Sequence, residues 1–149
     1  AEDERFFTEW QQTMQDLNLD YTLFFQQLEK LTSEIKTDDF KDSFYRNLTE
    51  IELKKLSDFI EKYRVRKLKN KISETESLEL MSKTNPKFIL RNYLLFEAIQ
   101  DAENGNYEMF FKLKNALENP YENLFPEFNK KRPSKYDNQT GSSQLSCSS

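Results

Sequence analysis

Apolar side chains recur every three or four residues along most of the chain, and short polar clusters break the pattern at intervals. From Glu4 to about Leu17, Phe6, Phe7, Trp10, Met14 and Leu17 share one face, while Gln11, Gln12 and Gln15 take the other. That spacing predicts an amphipathic helix whose aromatic stripe is packing rather than a cofactor box. Asp20 is placed to cap a second helix, Tyr21 to about Ser33, with Phe24, Leu28, Leu31 and Ile35 inward. Thr37 to Asn47 is polar apart from Phe40 and Phe44 and reads as a short helix or an irregular turn. Thr49 followed by Glu52 has the capping-box form and opens a long helix through Leu53, Leu56, Phe59, Ile60, Tyr63 and Leu68.

The second half follows the same logic. Ile72 to Lys83 has an acidic opening and then Leu78, Leu80 and Met81. Asn85 and Pro86 form a helix-start pair, an asparagine cap followed by a proline at the first helical position. The helix predicted from there buries Phe88, Ile89, Tyr93, Leu95, Phe96 and Ile99 and runs to Asn104-Gly105, where the glycine suits a left-handed end. Arg91 lies inside this helix and is expected to pair its planar fork of donors with a carboxylate. Asn106 caps a last helix, Tyr107 to about Leu117, with Met109 or Phe110, Leu113 and Leu117 inward, stopped by Asn119-Pro120.

Composition narrows the classes. Two glycines and four prolines are too few for a sandwich or barrel, so the fold class is all-α. A 149-residue chain, 36% hydrophobic and 32% charged, can bury one sizeable core. With no histidine, the commonest general base and the commonest metal ligand are both absent. A single cysteine excludes a disulfide framework within the chain. The third helix ends in a basic run of Lys62, Arg64, Arg66, Lys67, Lys69 and Lys71. That run complements the helix dipole. A net charge of -4 and the lack of an aromatic platform beside it disfavour nucleic acid as a partner. No apolar run approaches the roughly 18 residues of a membrane span, and no secretory signal is visible, so no membrane partner and a cytoplasmic setting are expected. A start at Ala1 rather than Met suggests a processed or partial product.

The run Asn85-Pro86-Lys87-Phe88-Ile89-Leu90-Arg91-Asn92-Tyr93-Leu94 resembles the signature segment of the SelO/YdiU family, protein adenylyltransferases on a protein-kinase-like (pseudokinase) fold. Further stretches resemble the family in the same order. They are Asp20-Tyr21-Thr22-Leu23-Phe24-Phe25, Tyr63 to Leu68 with Lys67 added, and Ala98 to Tyr121 with Asn106 where Asp is usual. Lys131-Arg132-Pro133-Ser134-Lys135-Tyr136 is similar to a later element, with Tyr136 replacing the usual Trp. The chain finishes Ser146-Cys147-Ser148-Ser149, like the family's own ending, which carries selenocysteine at the Cys position in animals.

The resemblance covers most of this chain but about the last third of a family member. It implies a helical C-terminal region over residues 1–128 and a flexible tail over 129–149. Asn85, Pro86, Arg91, Asn92 and Tyr93 are its structural signature, and Cys147 is its redox candidate, which needs an exposed thiolate within reach of a partner sulfur. The implied parent activity is transfer of AMP from ATP to Ser, Thr or Tyr hydroxyls of proteins, with ATP and magnesium as cofactors. No glycine-rich loop, strand-borne phosphate-pairing lysine or Asp-Phe-Gly triplet occurs here, so no catalytic, nucleotide-binding or metal residue is assigned and the chain alone is expected to be inactive. The implied partners are a missing N-terminal kinase-like region and the protein substrates of the whole enzyme. The location would be cytoplasmic in bacteria and mitochondrial in a eukaryote. The alternative is a stand-alone, non-enzymatic helical interaction module from a truncated gene.

Overall fold

In the computed structural model, residues 2–30 and 36–139 are described, and they are helical wherever they are regular. No strand occurs among them; an isolated antiparallel bridge joins Leu19 to Phe44. The chain divides into two compact units, Ala1–Ser82 and Lys83–Ser149.

In the first unit, α1 (Glu2–Leu17) and α2 (Tyr21–Glu29) are joined by a tight turn. Asn18 takes a left-handed backbone there (φ 49°), a conformation asparagine tolerates better than most residues. Asp20 caps α2 as expected, its Oδ1 accepting from the Leu23 N–H at 3.1 Å. This carboxylate is buried but well supplied. Its Oδ2 accepts from the Tyr45 hydroxyl at 2.7 Å, and its N–H donates to the Ser43 carbonyl at 2.7 Å. It therefore ties α2 to a 3-10 turn (Thr37–Ser43) whose Phe40 lies against Phe24, ring centroids 5.0 Å apart. Leu31 and Ile35, expected in this core, lie outside the described residues.

The capping box forms at the start of α3 (Glu50–Leu68): Thr49 Oγ1 accepts from the Glu52 N–H at 3.3 Å, and Glu52 accepts from the Thr49 N–H at 2.9 Å. Arg46 grips the same carboxylate with both guanidinium nitrogens, at 2.9 and 2.6 Å. These donors, Arg46 first and Thr49 second, hold the Glu52 carboxyl down at about 2. Leu56, Phe59 and Ile60 of α3 close the core over Met14, Leu17, Phe24 and Leu28. Phe7 and Leu68, expected inward, face solvent: Phe6 takes the inward place against Phe59, and Leu68 is the last residue of α3. A second capping box, Ser73 with Glu76 (2.8 and 3.2 Å), precedes α4 (Glu74–Thr84).

The second unit holds α5 (Asn92–Glu103), α6 (Glu108–Glu118) and 3-10 turns at Pro126–Phe128 and Ser134–Tyr136. The end of α5 matches expectation. Gly105 is left-handed (φ 81°), its N–H donates to Ala102, and the Asn106 N–H donates to Asp101, both at 2.9 Å. Asn106 then supplies the turn into α6, its Oδ1 accepting from the Glu108 N–H at 3.1 Å.

Two expectations are corrected here. The helix read from Asn85 does not start there; residues 85–91 are not helical and α5 opens at Asn92. The cause is a competing set of hydrogen bonds. The Pro120 carbonyl accepts from the N–H groups of both Lys87 (2.7 Å) and Phe88 (3.0 Å). Pro86 acts as a stop after α4 rather than as the first residue of α5, since the residue before a proline is steered away from the helical region. With the start moved, the buried face of α5 becomes Tyr93, Leu94 and Ala98, while Leu95 and Ile99 turn outward and Ile89 faces solvent ahead of the helix.

The second correction concerns the tail read from residue 129. Of that span, residues 129–139 are folded against the unit and Tyr136 is buried, with 6% of its surface exposed. Residues 140–149, with Cys147, lie outside the described residues.

Candidate functional site

The signature segment and the Tyr136 turn meet in the core of the second unit. Asn85 and Pro86 make the joint after α4, and Lys87 and Phe88 are pinned to Pro120. Arg91 is the half-buried, extended N-cap residue of α5, its carbonyl accepting from the N–H groups of Leu94 (3.0 Å) and Leu95 (3.2 Å). Asn92 is the first helical residue and Tyr93 points into the core. A cation at this end of a helix runs against the dipole, so Arg91 is not there to stabilise α5.

Tyr93 stacks on Tyr136, centroids 5.4 Å apart at 25°, and Phe96 meets the same ring edge-on at 6.4 Å. The Tyr136 hydroxyl donates to Glu97, which lies 3.5 Å from Lys135 Nζ. Lys135 also sits over the Tyr136 ring at 4.6 Å, and its ammonium is held above its usual value by Tyr136 first and then by Glu97. Arg132 bridges to Asp137 at 2.9 Å and closes the turn that carries the tyrosine. Phe128 covers Phe88 at 6.1 Å from the other side. Of the signature residues, the structure thus brings Tyr93 into a cluster with Tyr136, while Asn85, Pro86, Arg91 and Asn92 shape the path that leads to it.

Glu97 and the Pro120 carbonyl were not legible as partners. Tyr136 did carry a signal, an aromatic ring in an otherwise polar stretch at the place where the resemblance has a tryptophan.

In the first unit, α3 presents cations to α1, two of them from the basic run. Arg66 pairs with Asp3, Lys62 with Glu9 and Lys55 with Asp16, a ladder between antiparallel helices, and Arg64 pairs with Glu61 at 2.9 Å on its own helix. Arg66 also lies over the Phe6 ring at 5.3 Å.

Among the described residues there is no group of three or more His, Cys, Asp or Glu side chains able to hold a metal ion. Gly105 ends a helix, and Gly141 lies outside the described residues. No described helix is long and apolar enough to cross a membrane.

Comparison with known proteins places these features. The family described as protein adenylyltransferase SelO matches residues 1–118. The chain belongs to the SelO family. A protein nucleotidyltransferase YdiU of Cytophaga hutchinsonii is 33% identical over 99% of this chain and 29% of its own length. The proteins of the same name from Aromatoleum aromaticum and Nitrosospira multiformis are 32% and 28% identical, over 88% and 100% of this chain. The chain spans less than a third of each of these SelO-family relatives, 26% and 32% of the latter two. The match to residues 1–118 takes in the signature segment and the α5–α6 pair; Tyr136 lies beyond it.

Proposed function

We propose that this chain is the C-terminal helical part of a SelO-type protein adenylyltransferase, an enzyme that moves AMP from ATP to Ser, Thr or Tyr hydroxyls of proteins and releases pyrophosphate. The observation that carries the reading is the family match over residues 1–118 in a chain spanning under a third of its relatives. ATP and magnesium would be held by a kinase-like (pseudokinase) region outside this chain, as the family resemblance implies. The role of these helices is to pack against that region in the cytoplasm and to carry the Cys147 tail.

Cys147 is proposed as a redox-active thiol on the strength of the Ser-Cys-Ser-Ser ending. It is the chain's one cysteine, so an intramolecular disulfide draws its second sulfur from the missing region. It stands eleven residues past Tyr136, which limits its reach to about 36–40 Å from that anchor.

The test is calorimetry with ATP and magnesium, together with incorporation of labelled AMP into a protein mixture. This chain alone should neither bind nor label, and a full-length relative should do both. Micromolar ATP binding by the chain alone would overturn the reading.

A further inference from the structure

The helix α6 is apolar on two sides. Leu113 and Ala116 are buried in the unit's own core, with Met109 packed against it. Around the rest of the helix, Phe110 is 49% and Phe111 63% exposed, with Tyr107 one turn before and Leu117 two turns after Phe110. The two phenylalanines pack edge to face with centroids 5.5 Å apart, so they form one joined patch rather than scattered residues. The same helix carries the Lys112–Glu108 and Lys114–Glu118 ion pairs, so the outer rings lie among charged neighbours, as in the mixed surface of an interface. Single exposed apolar residues are ordinary, but two adjacent phenylalanines extended by Tyr107 and Leu117 are an interaction surface in a soluble chain.

We propose that this outer face of α6, centred on Phe110 and Phe111, docks the portion of the SelO-family chain that the relatives possess and this chain does not. The inference rests on the packing role given under the proposed function and adds the surface that performs it. Two observations select that occupant. The relatives extend over more than three times the length matched here, so a large covalent neighbour exists for this segment in each of them. The family match also continues through α6 to residue 118, so the outer face lies within the matched residues. Paired aromatic side chains of this kind are the usual anchors of such interfaces.

The experiment is co-expression of this chain with the unmatched portion of the Cytophaga hutchinsonii relative, followed by co-purification and sedimentation. The probes are the unaltered chain, the Phe110→Asp/Phe111→Asp double variant, and Ile51→Asp as a control at an exposed site on α3. Circular dichroism melts verify that each variant folds. A soluble one-to-one complex is expected with the unaltered chain and with Ile51→Asp, weakened about tenfold or more by the double variant. A complex that survives Phe110→Asp/Phe111→Asp overturns the inference and leaves the packing role standing. No complex with the unaltered chain overturns both. A self-association of this chain that the double variant abolishes, with the complex unaffected, assigns the face to a second copy and also overturns the inference.

Discussion

Among the described residues of 1–82, Phe24, Leu28, Phe40 and Leu56 have no exposed surface and Phe6 stacks on Phe59 at 5.7 Å, while Ile51, Leu68 and Leu80 face out at separate positions on their helices. Among the described residues of 83–149 the buried cluster includes two alanines, while Leu95, Ile99, Tyr107, Phe110, Phe111, Leu117 and Tyr121 face out. Both units start from amphipathic helices. The first has an acidic stripe on α1 that meets a basic stripe on α3, so that seam is closed with charge. The second ends its apolar face in open rings. A short helical piece can be complete or can be one layer of something larger, and the outward-facing residues distinguish the two cases more sharply than the core does.

The sharpest challenge to this contrast is a cavity on each side. Phe24→Ala should cost the first unit about 3–5 kcal/mol, the range for an aromatic ring deleted from a closed core. Trp10 is the one tryptophan and packs on Phe25 and Phe59, so its fluorescence follows the first unit alone during denaturant unfolding. Tyr136→Ala should cost the second unit about 2–4 kcal/mol, with the Trp10 midpoint unmoved. A coincident shift of both signals would merge the two units into one cooperative body. Tyr136→Phe keeps the stack on Tyr93 and removes only the bond to Glu97, for a loss of about 1–2 kcal/mol.

Much of this was legible because local chemistry decides it. Asp20, the Thr49–Glu52 box and Gly105 each satisfy orphaned helix-end groups within a few residues, and each end falls where the pattern put it to within about a residue. The start at Asn85 failed for a non-local reason. The Pro120 carbonyl, more than thirty residues on, offers its lone pairs to Lys87 and Phe88, and no local pattern encodes that offer. The Tyr136 turn was misread for a related reason, since a polar stretch is folded here by one ring and one ion pair, Arg132 with Asp137. The signature segment was visible as a unit, yet its fold role, a pinned approach to α5 rather than a helix, was not. Ser73–Glu76 was the opposite case, a capping box plain in the sequence and passed over.

Smaller effects refine the picture of the first unit. Thr49→Ala should cost about 1 kcal/mol by undoing the cap of α3. The Glu52 carboxyl is depressed in the folded chain, so its contribution is fully present above the ordinary carboxylate range and is lost as pH falls through about 2. Proton titration followed by NMR should place its midpoint near 2, and Arg46→Ala should raise it; a midpoint in the ordinary range with Arg46 present would remove the Arg46 grip. The ladder is the weakest element. Lys62→Gln or Arg66→Gln should change stability by about 0.2–1 kcal/mol, with the difference fading at about 1 M salt.

The contrast between the charge-closed α1–α3 seam and the open aromatic face of α6 is tested most directly by amide hydrogen exchange on this chain, alone and in complex with the rest of a SelO-family relative. Protection follows local burial, so the amides of α3 should exchange slowly in both states. Those of α6 should exchange faster than those of α3 in the isolated chain and slow by about tenfold or more on complex formation. Protection of α6 equal to that of α3 in the isolated chain, unchanged in the complex, would contradict the claim that the second unit is one layer of a larger protein.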